Sequence, residues 1–177
     1  HRICRRCHGV FPRVPRRILR RDGGDQEMKL HICHDREIDE WIRQNHYLHS
    51  TPAGAVIRME FLDDFDRRIG AMMWGRNPSP KQDQLHQLCL SRMYFVDDTE
   101  RFCESKALAM ARRYIRKNYP TIKGLSAYSS LGEGHTGICY QADGWFEVSR
   151  TRAGSRDFRA GRKNIDTSEK IKWCRSP

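Results

Sequence analysis

Apolar positions recur along the chain with two different periods, and the switches between them outline the fold. Ile38, Trp41 and Ile42 fall at i, i+3 and i+4, which predicts an amphipathic helix over about 35–45. Pro52 and Gly54 break the chain beyond it. Residues 55–61 then alternate, with Ile57, Met59 and Phe61 on one side and Arg58 and Glu60 on the other, as a half-buried strand requires. Residues 69–75 read as a buried strand, with Asp63, Asp64 and Asp66 in the hairpin turn before it. A polar, Pro-containing loop over 77–84 leads to a long strand over 85–95, with Leu88, Leu90, Arg92 and Tyr94 on one face. The helical period returns over about 100–118, where Phe102, Leu108, Ala111 and Ile115 form a stripe. Asp98 or Thr99 can cap that helix, the cations Arg112, Arg113, Arg116 and Lys117 suit its C-terminal dipole, and Pro120 ends it. A strand over 122–129, a loop over 130–135, a short helix ending near Gly144 and a strand over 145–150 complete the series, with Trp145 and Phe146 read as core. The order predicts an α+β fold on one central, mainly antiparallel sheet flanked by helices.

Composition narrows the class. The chain has 177 residues, enough for one domain with a real core. No stretch approaches the roughly 20 apolar residues of a membrane helix, and the mean hydropathy is −0.81. The Arg-rich start lacks the apolar core of a secretory signal, and seven cysteines, an odd number, argue against a full disulfide framework. Both point to a reducing cytoplasm and away from membranes.

Charge divides the chain in three. The net charge of +11 is the sum of +8 over residues 1–21, −3 over 22–149 and +6 over 150–177. Eight Arg without one acid in 21 residues suit a polyanion, because a phosphate backbone rewards clustered cations through counterion release. Nucleic acid is the partner this favours.

The first 34 residues read as a small basic unit with metal chemistry. Cys4 and Cys7 form a Cys-x-x-Cys knuckle, and His31, Cys33 and His34 follow further on. A two-residue spacer lets two thiolates converge on one ion, so Cys4, Cys7 and Cys33 with His34, or alternatively His31, can complete a tetrahedral structural zinc site. His8 is a further candidate. Cys89, Cys103 and Cys139 read as small apolar fillers.

Four segments carry a resemblance: His46-Tyr47 after the first helix, Leu90-Ser91-Arg92 in the long strand, Glu104-Ser105 at the start of the long helix, and the Gly134–Ala142 run containing His135 and Tyr140. In this order and spacing, residues 36–151 resemble the Mom family of phage DNA-modification proteins, which share a GNAT-like acyltransferase fold. With the cysteine spacing and the charge pattern, this resemblance divides the chain into a basic zinc-knuckle-like segment over 1–34, a GNAT-like catalytic domain over 35–151 and a basic C-terminal extension over 152–177. It implies transfer of a small acyl-derived group to the exocyclic amine of adenine in DNA, protecting that DNA from restriction in the cytoplasm of a bacterial host. The donor it implies is acetyl-CoA or an aminoacyl compound. Two alternatives stand beside it: a GNAT-like acyltransferase acting on a hypermodified base, tRNA or protein amine, and a zinc-containing DNA-binding regulator without catalysis.

Carried over position by position, the resemblance implies roles for His46, Tyr47, Arg92, Ser105 and Tyr140. His46 is the natural base, because an ordinary imidazole titrates near 6.5. Tyr140 can serve as an acid or as a donor to an oxyanion. Ser105 sits where a helix N-terminus attracts a donor's phosphate or carbonyl. Arg92, in an apolar strand, needs a carboxylate of the protein or an anionic ligand. His135 lies between two glycines and is free to reach a ligand. Relatives end the neighbouring strand in Tyr-Ala-Asp, whereas this chain reads Tyr128-Ser129-Ser130. Ser130 thus replaces a carboxylate, and an iron site built on that carboxylate either loses its hard anionic ligand or takes Glu133 or another acid in its place. The stretch 95–104, where acetyl-CoA enzymes carry a Gly-rich phosphate loop, has four acids and no glycine.

Overall fold

The computed structural model describes residues 27–34, 36–52, 54–154 and 167–177. Within them the chain forms β1 (Lys29–Cys33), α1 (Glu37–Asn45), β2 (Ala55–Leu62), β3 (Arg68–Gly75), β4 (Gln87–Phe95), α2 (Cys103–Asn118), β5 (Gly124–Ser130), α3 (Ile138–Ala142), β6 (Phe146–Thr151) and β7 (Lys170–Arg175). All seven strands join one sheet in the order β1-β2-β3-β4-β5-β7-β6. Only the β4–β5 pair among these neighbours is parallel. The α+β expectation therefore holds.

β3 shows why the layers form. Its side chains alternate between two cores: Ala71 and Met73 pack with Ile38 and Ile42 of α1, while Met72 and Trp74 join the larger core. That larger core takes Ala107, Leu108, Ala111 and Ile115 of α2 and Met59 and Phe61 of β2. A strand covered on both sides has no polar face to show, which explains the continuous apolar run in its sequence.

Two elements lie outside the expected 35–151 unit. Lys29–Cys33 pairs with β2, so the end of the N-terminal segment is an edge strand of the main sheet. Lys170–Arg175 inserts between β5 and β6, so part of the C-terminal extension is an interior strand. Its Ile171 and Trp173 are buried, alternating with Lys170 and Lys172. That short alternation is a strand signal at the end of a long polar stretch. Phe146, expected in the core, is 72% exposed on β6 at the sheet edge, whereas Trp145 is buried.

β7 completes an aromatic block on the α2 side. Tyr140 stacks on Trp173 with centroids 5.8 Å apart and meets Trp145 edge-on at 5.4 Å. Gly137 (φ +80°) lets the chain pass the Trp173 ring, because a Cβ there would lie 2.3 Å from it. Asp143 pins this block to α2. Arg112 donates to both of its oxygens at 2.7 Å, and Trp145 Nε1 donates to Oδ2 at 2.8 Å. Asp143→Ala would strand the Arg112 guanidinium, whose side chain is only 12% exposed, and should cost roughly 3 kcal/mol in urea unfolding. Phe146→Ala should stay within about 0.5 kcal/mol.

Candidate active site

The site lies where β4 and β5 stop pairing. Their ladder runs from Gln87↔Gly124 to Leu90↔Ala127, and then β4 continues to Phe95 and β5 to Ser130 without further pairs between them. A register shift in the β3–β4 pairing falls at this point, between Met73↔Arg92 and Trp74↔Leu90, which leaves Ser91 as the extra residue of a bulge. Ser91 Oγ is tied to Met73 O at 2.9 Å. Facing strands that part this way leave backbone donors and acceptors that a bound extended ligand can satisfy.

The α1 side of this opening gathers four of the sequence-predicted residues. His46 ends α1 and is 7% exposed. Tyr47 stacks on it at 4.4 Å, and His135 meets Tyr47 edge-on at 5.5 Å. Arg92 lies close enough to act electrostatically on both His46 and Tyr47. Its guanidinium donates to Ser50 O at 2.9 Å, Ser50 Oγ at 3.1 Å and Ser91 O at 2.6 Å. All three acceptors are neutral. Of the two expectations for Arg92, the carboxylate partner is absent among the described residues, and the ligand-binding one remains. Burial makes its charged form less favourable, which is the condition under which an incoming anion or carbonyl is held strongly.

Tyr140 approaches from the other side. It is buried under Trp145 and Trp173, and burial first, then nearby groups including Tyr47, push its phenol well above the ordinary range. It is therefore a neutral hydrogen-bonding group at working pH. Trp74, at the same end of β3, has a buried Nε1–H with no acceptor; sequence periodicity reads it only as core.

Ser130 and Ser105 do something different. Ser130 Oγ shares a 2.6 Å hydrogen bond with Ser168 Oγ, and Ser130 O accepts from the His135 amide at 3.0 Å. It anchors the loop that presents His135. Ser105 Oγ donates to Phe102 O at 2.9 Å within the first turn of α2. The same turn carries Glu104, with Asp97, Asp98 and Glu100 just before it, so its charge is unfavourable to a phosphate. Ser50 and Ser168, which sequence reasoning missed, hold Arg92 and Ser130 in place.

The metal expectations divide. Cys4 and Cys7 lie outside the described residues; Cys33 ends β1, His34 follows it, and His31 faces Glu60 across the strand pair at 3.9 Å. Among the described residues no three His, Cys, Asp or Glu side chains converge as metal ligands. An iron site at the strand opening does not fit the donors present. The phenol of Tyr140 is held protonated, Ser130 stands where the resemblance implies a carboxylate, and His46 Nδ1 is occupied by the Leu48 amide at 3.1 Å.

The profile of the Mom protein family matches residues 27–172. The chain belongs to the Mom protein family. The methylcarbamoylase Mom of Escherichia phage Mu is 29% identical over 82 residues, covering 42% of this chain and 34% of that protein. The chain thus spans about a third of that relative. Among solved structures, mutant forms of the spermidine/spermine N-acetyltransferase SpeG from Vibrio cholerae match with a TM-score of 0.58 at 10% identity, over 85% of this chain and 95% of that one. A GNAT-family acetyltransferase from Streptococcus pneumoniae matches with a TM-score of 0.58 at 8% identity, over 85% and 99%. This Mom-family chain therefore has a GNAT-like acetyltransferase fold.

One consequence of the site is a pH-dependent stability. Burial first, then Arg92, His135 and His49, push His46 down to about 3. The unfolded chain takes up a proton at His46 near pH 6.5, and the folded chain refuses it until about pH 3, so stability falls as pH falls through that window. In urea unfolding, wild type should lose about 1 kcal/mol more than His46→Gln between pH 5.5 and 4.5. Equal losses would show that His46 takes up its proton in the folded protein.

Proposed function

We propose that this Mom-family protein transfers a small acyl-derived group from a thioester-type acyl donor to the exocyclic amine of adenine in DNA. The observation that carries the reading is the parted β4–β5 pair with His46, Tyr47, Arg92 and Tyr140 around it. An extended, amide-rich donor suits unpaired strand backbone. In the step, the amine nitrogen gains a bond to the group's carbon, the carbon–sulfur bond of the thioester breaks, and one amine proton passes to the departing sulfur. Arg92 and Tyr140 hold the oxygen of the group, and the stacked pair His46–Tyr47 offers an aromatic wall for the base. The name of the phage Mu relative supports a methylcarbamoyl-type group. The sharpest test is mass spectrometry of nucleosides from a host expressing the protein. A mass-shifted deoxyadenosine should appear and be lost in Arg92→Ala; unmodified nucleosides under good expression would sink the reading.

DNA as partner rests on the basic ends of the chain and on the sheet. Tyr128, Lys172 and Ser149 stand opposite one another across β5, β7 and β6, as do Ser130, Lys170 and Thr151. These rows put two lysines and a tyrosine on the sheet face that α1 covers at its other end, where backbone phosphates of an extruded nucleotide could run. Lys172→Glu should weaken DNA binding similarly for all sequences and reduce the slope of log affinity against log salt by about 1. An unchanged slope would place the strand elsewhere.

A further inference from the structure

Two histidines in one short turn carry opposite protons. His49 Nδ1 lies 3.2 Å from Arg43 O. A carbonyl only accepts, so that nitrogen bears hydrogen. Leu48 N–H points at His46 Nδ1 at 3.1 Å. An amide N–H only donates, so His46 Nδ1 carries a bare lone pair and is already engaged. The turn holds this arrangement: His46 N–H closes α1 on Ile42 O at 2.8 Å, and His49 N–H bonds His46 O at 2.8 Å. The remaining nitrogen of a neutral imidazole must then be Nε2–H. No protein group among the described residues accepts from it. The ring is almost fully buried, stacks on Tyr47 and lies within electrostatic reach of Arg92 and His135.

We infer that His46 is a fixed hydrogen-bond donor through Nε2–H, aimed at the carbonyl oxygen of the transferred group, and not the base that its sequence position suggests. The inference rests on the transferase reading for the identity of that oxygen, while the tautomer stands on the turn itself. No proton is transferred: the donor stabilises negative charge that builds on oxygen as the nitrogen adds. The neighbours agree in sign. Burial opposes a second proton on His46, as does the Arg92 guanidinium, so the ring stays neutral through the physiological range. His135 and His49 act in the same direction. The groups that act on the ring are thus Arg92, His135 and His49, and among the described residues no carboxylate draws a proton onto it.

Two measurements decide it. Two-bond nitrogen–proton correlations of the His46 ring in the labelled full chain should show Nε2–H with bare Nδ1, unchanged between pH 8 and 5. A protonated Nδ1, or a midpoint near the ordinary 6.5, overturns the assignment. In the expressing host, His46→Ala should reduce modified deoxyadenosine about 100-fold. His46→Gln, whose amide nitrogen supplies a donor at a similar reach and which cannot act as a base, should stay within about tenfold of wild type. A folded His46→Gln protein as inactive as His46→Ala refutes the donor role. A wild-type host without modified deoxyadenosine overturns the transferase reading and the catalytic role with it, and the ring spectrum then judges the tautomer alone.

Discussion

The parting of β4 from β5 is the constraint on which the site depends. A parallel pair gains its ladder only while both strands keep step. Here the step is lost at Ser91, the extra residue against Met73 and Trp74, and the β4–β5 ladder ends one residue earlier at Leu90. An opening in the middle of a sheet must be held from both sides or it would close on itself. On one side Arg92 spans from β4 to Ser50 in the segment after α1. On the other, Tyr140 is stacked on Trp173 and braced by Trp145, itself tied to α2 through Asp143 and Arg112. Each brace comes from a different part of the sequence, so the opening exists only in the completed fold.

The electrostatics follow from that position. The groups nearest the opening are a guanidinium on neutral acceptors, two imidazoles and two phenols, one of them held protonated by burial. Several carboxylates are held in pairs of their own: Asp143 with Arg112 and Trp145, Asp39 with Arg58, and Glu60 with Arg68. A cluster of donors with one guanidinium and, among its described partners, no carboxylate favours an oxygen that becomes negative over one that is already negative and solvated.

How much of this was legible in the sequence depends on the range of the signal. α1, β2, β3, β4 and α2 came from periodicity, because each buries a face along its own length: Ile38 and Ile42, Ile57 to Phe61, and Leu108 to Ile115 are local patterns with local causes. β7 lacks such a local pattern, since its two buried positions follow a long basic stretch and gain meaning only when Trp173 meets Gly137 and Tyr140. His46, Tyr47, Arg92, His135 and Tyr140 were found as candidates from motif order, and the structure brings the first four together. What periodicity and motif could not supply was orientation. Ser105 satisfies its own helix turn, Ser130 pairs with Ser168, and the protons of His46 and His49 are set by which backbone group each ring meets.

Two departures from expectation then converge. Where the family resemblance implies a carboxylate at the end of β5, Ser130 stands tied to Ser168 and brings no anion. Engaging His46 Nδ1 with the Leu48 amide removes the lone pair arrangement that a metal or a base would use, since a ligating or basic imidazole normally donates its other N–H to an oxygen. Either change alone would damage a site built on metal or on proton abstraction. Together they are consistent, because a donor site needs neither an anionic ligand nor a free imidazole lone pair. It needs instead that its donors remain uncharged or unopposed and dry, which burial of His46 and Tyr140 beside Arg92 provides. The serine and the turn therefore belong to one design, in which hydrogen bonds directed at an oxygen replace charge at a ligand.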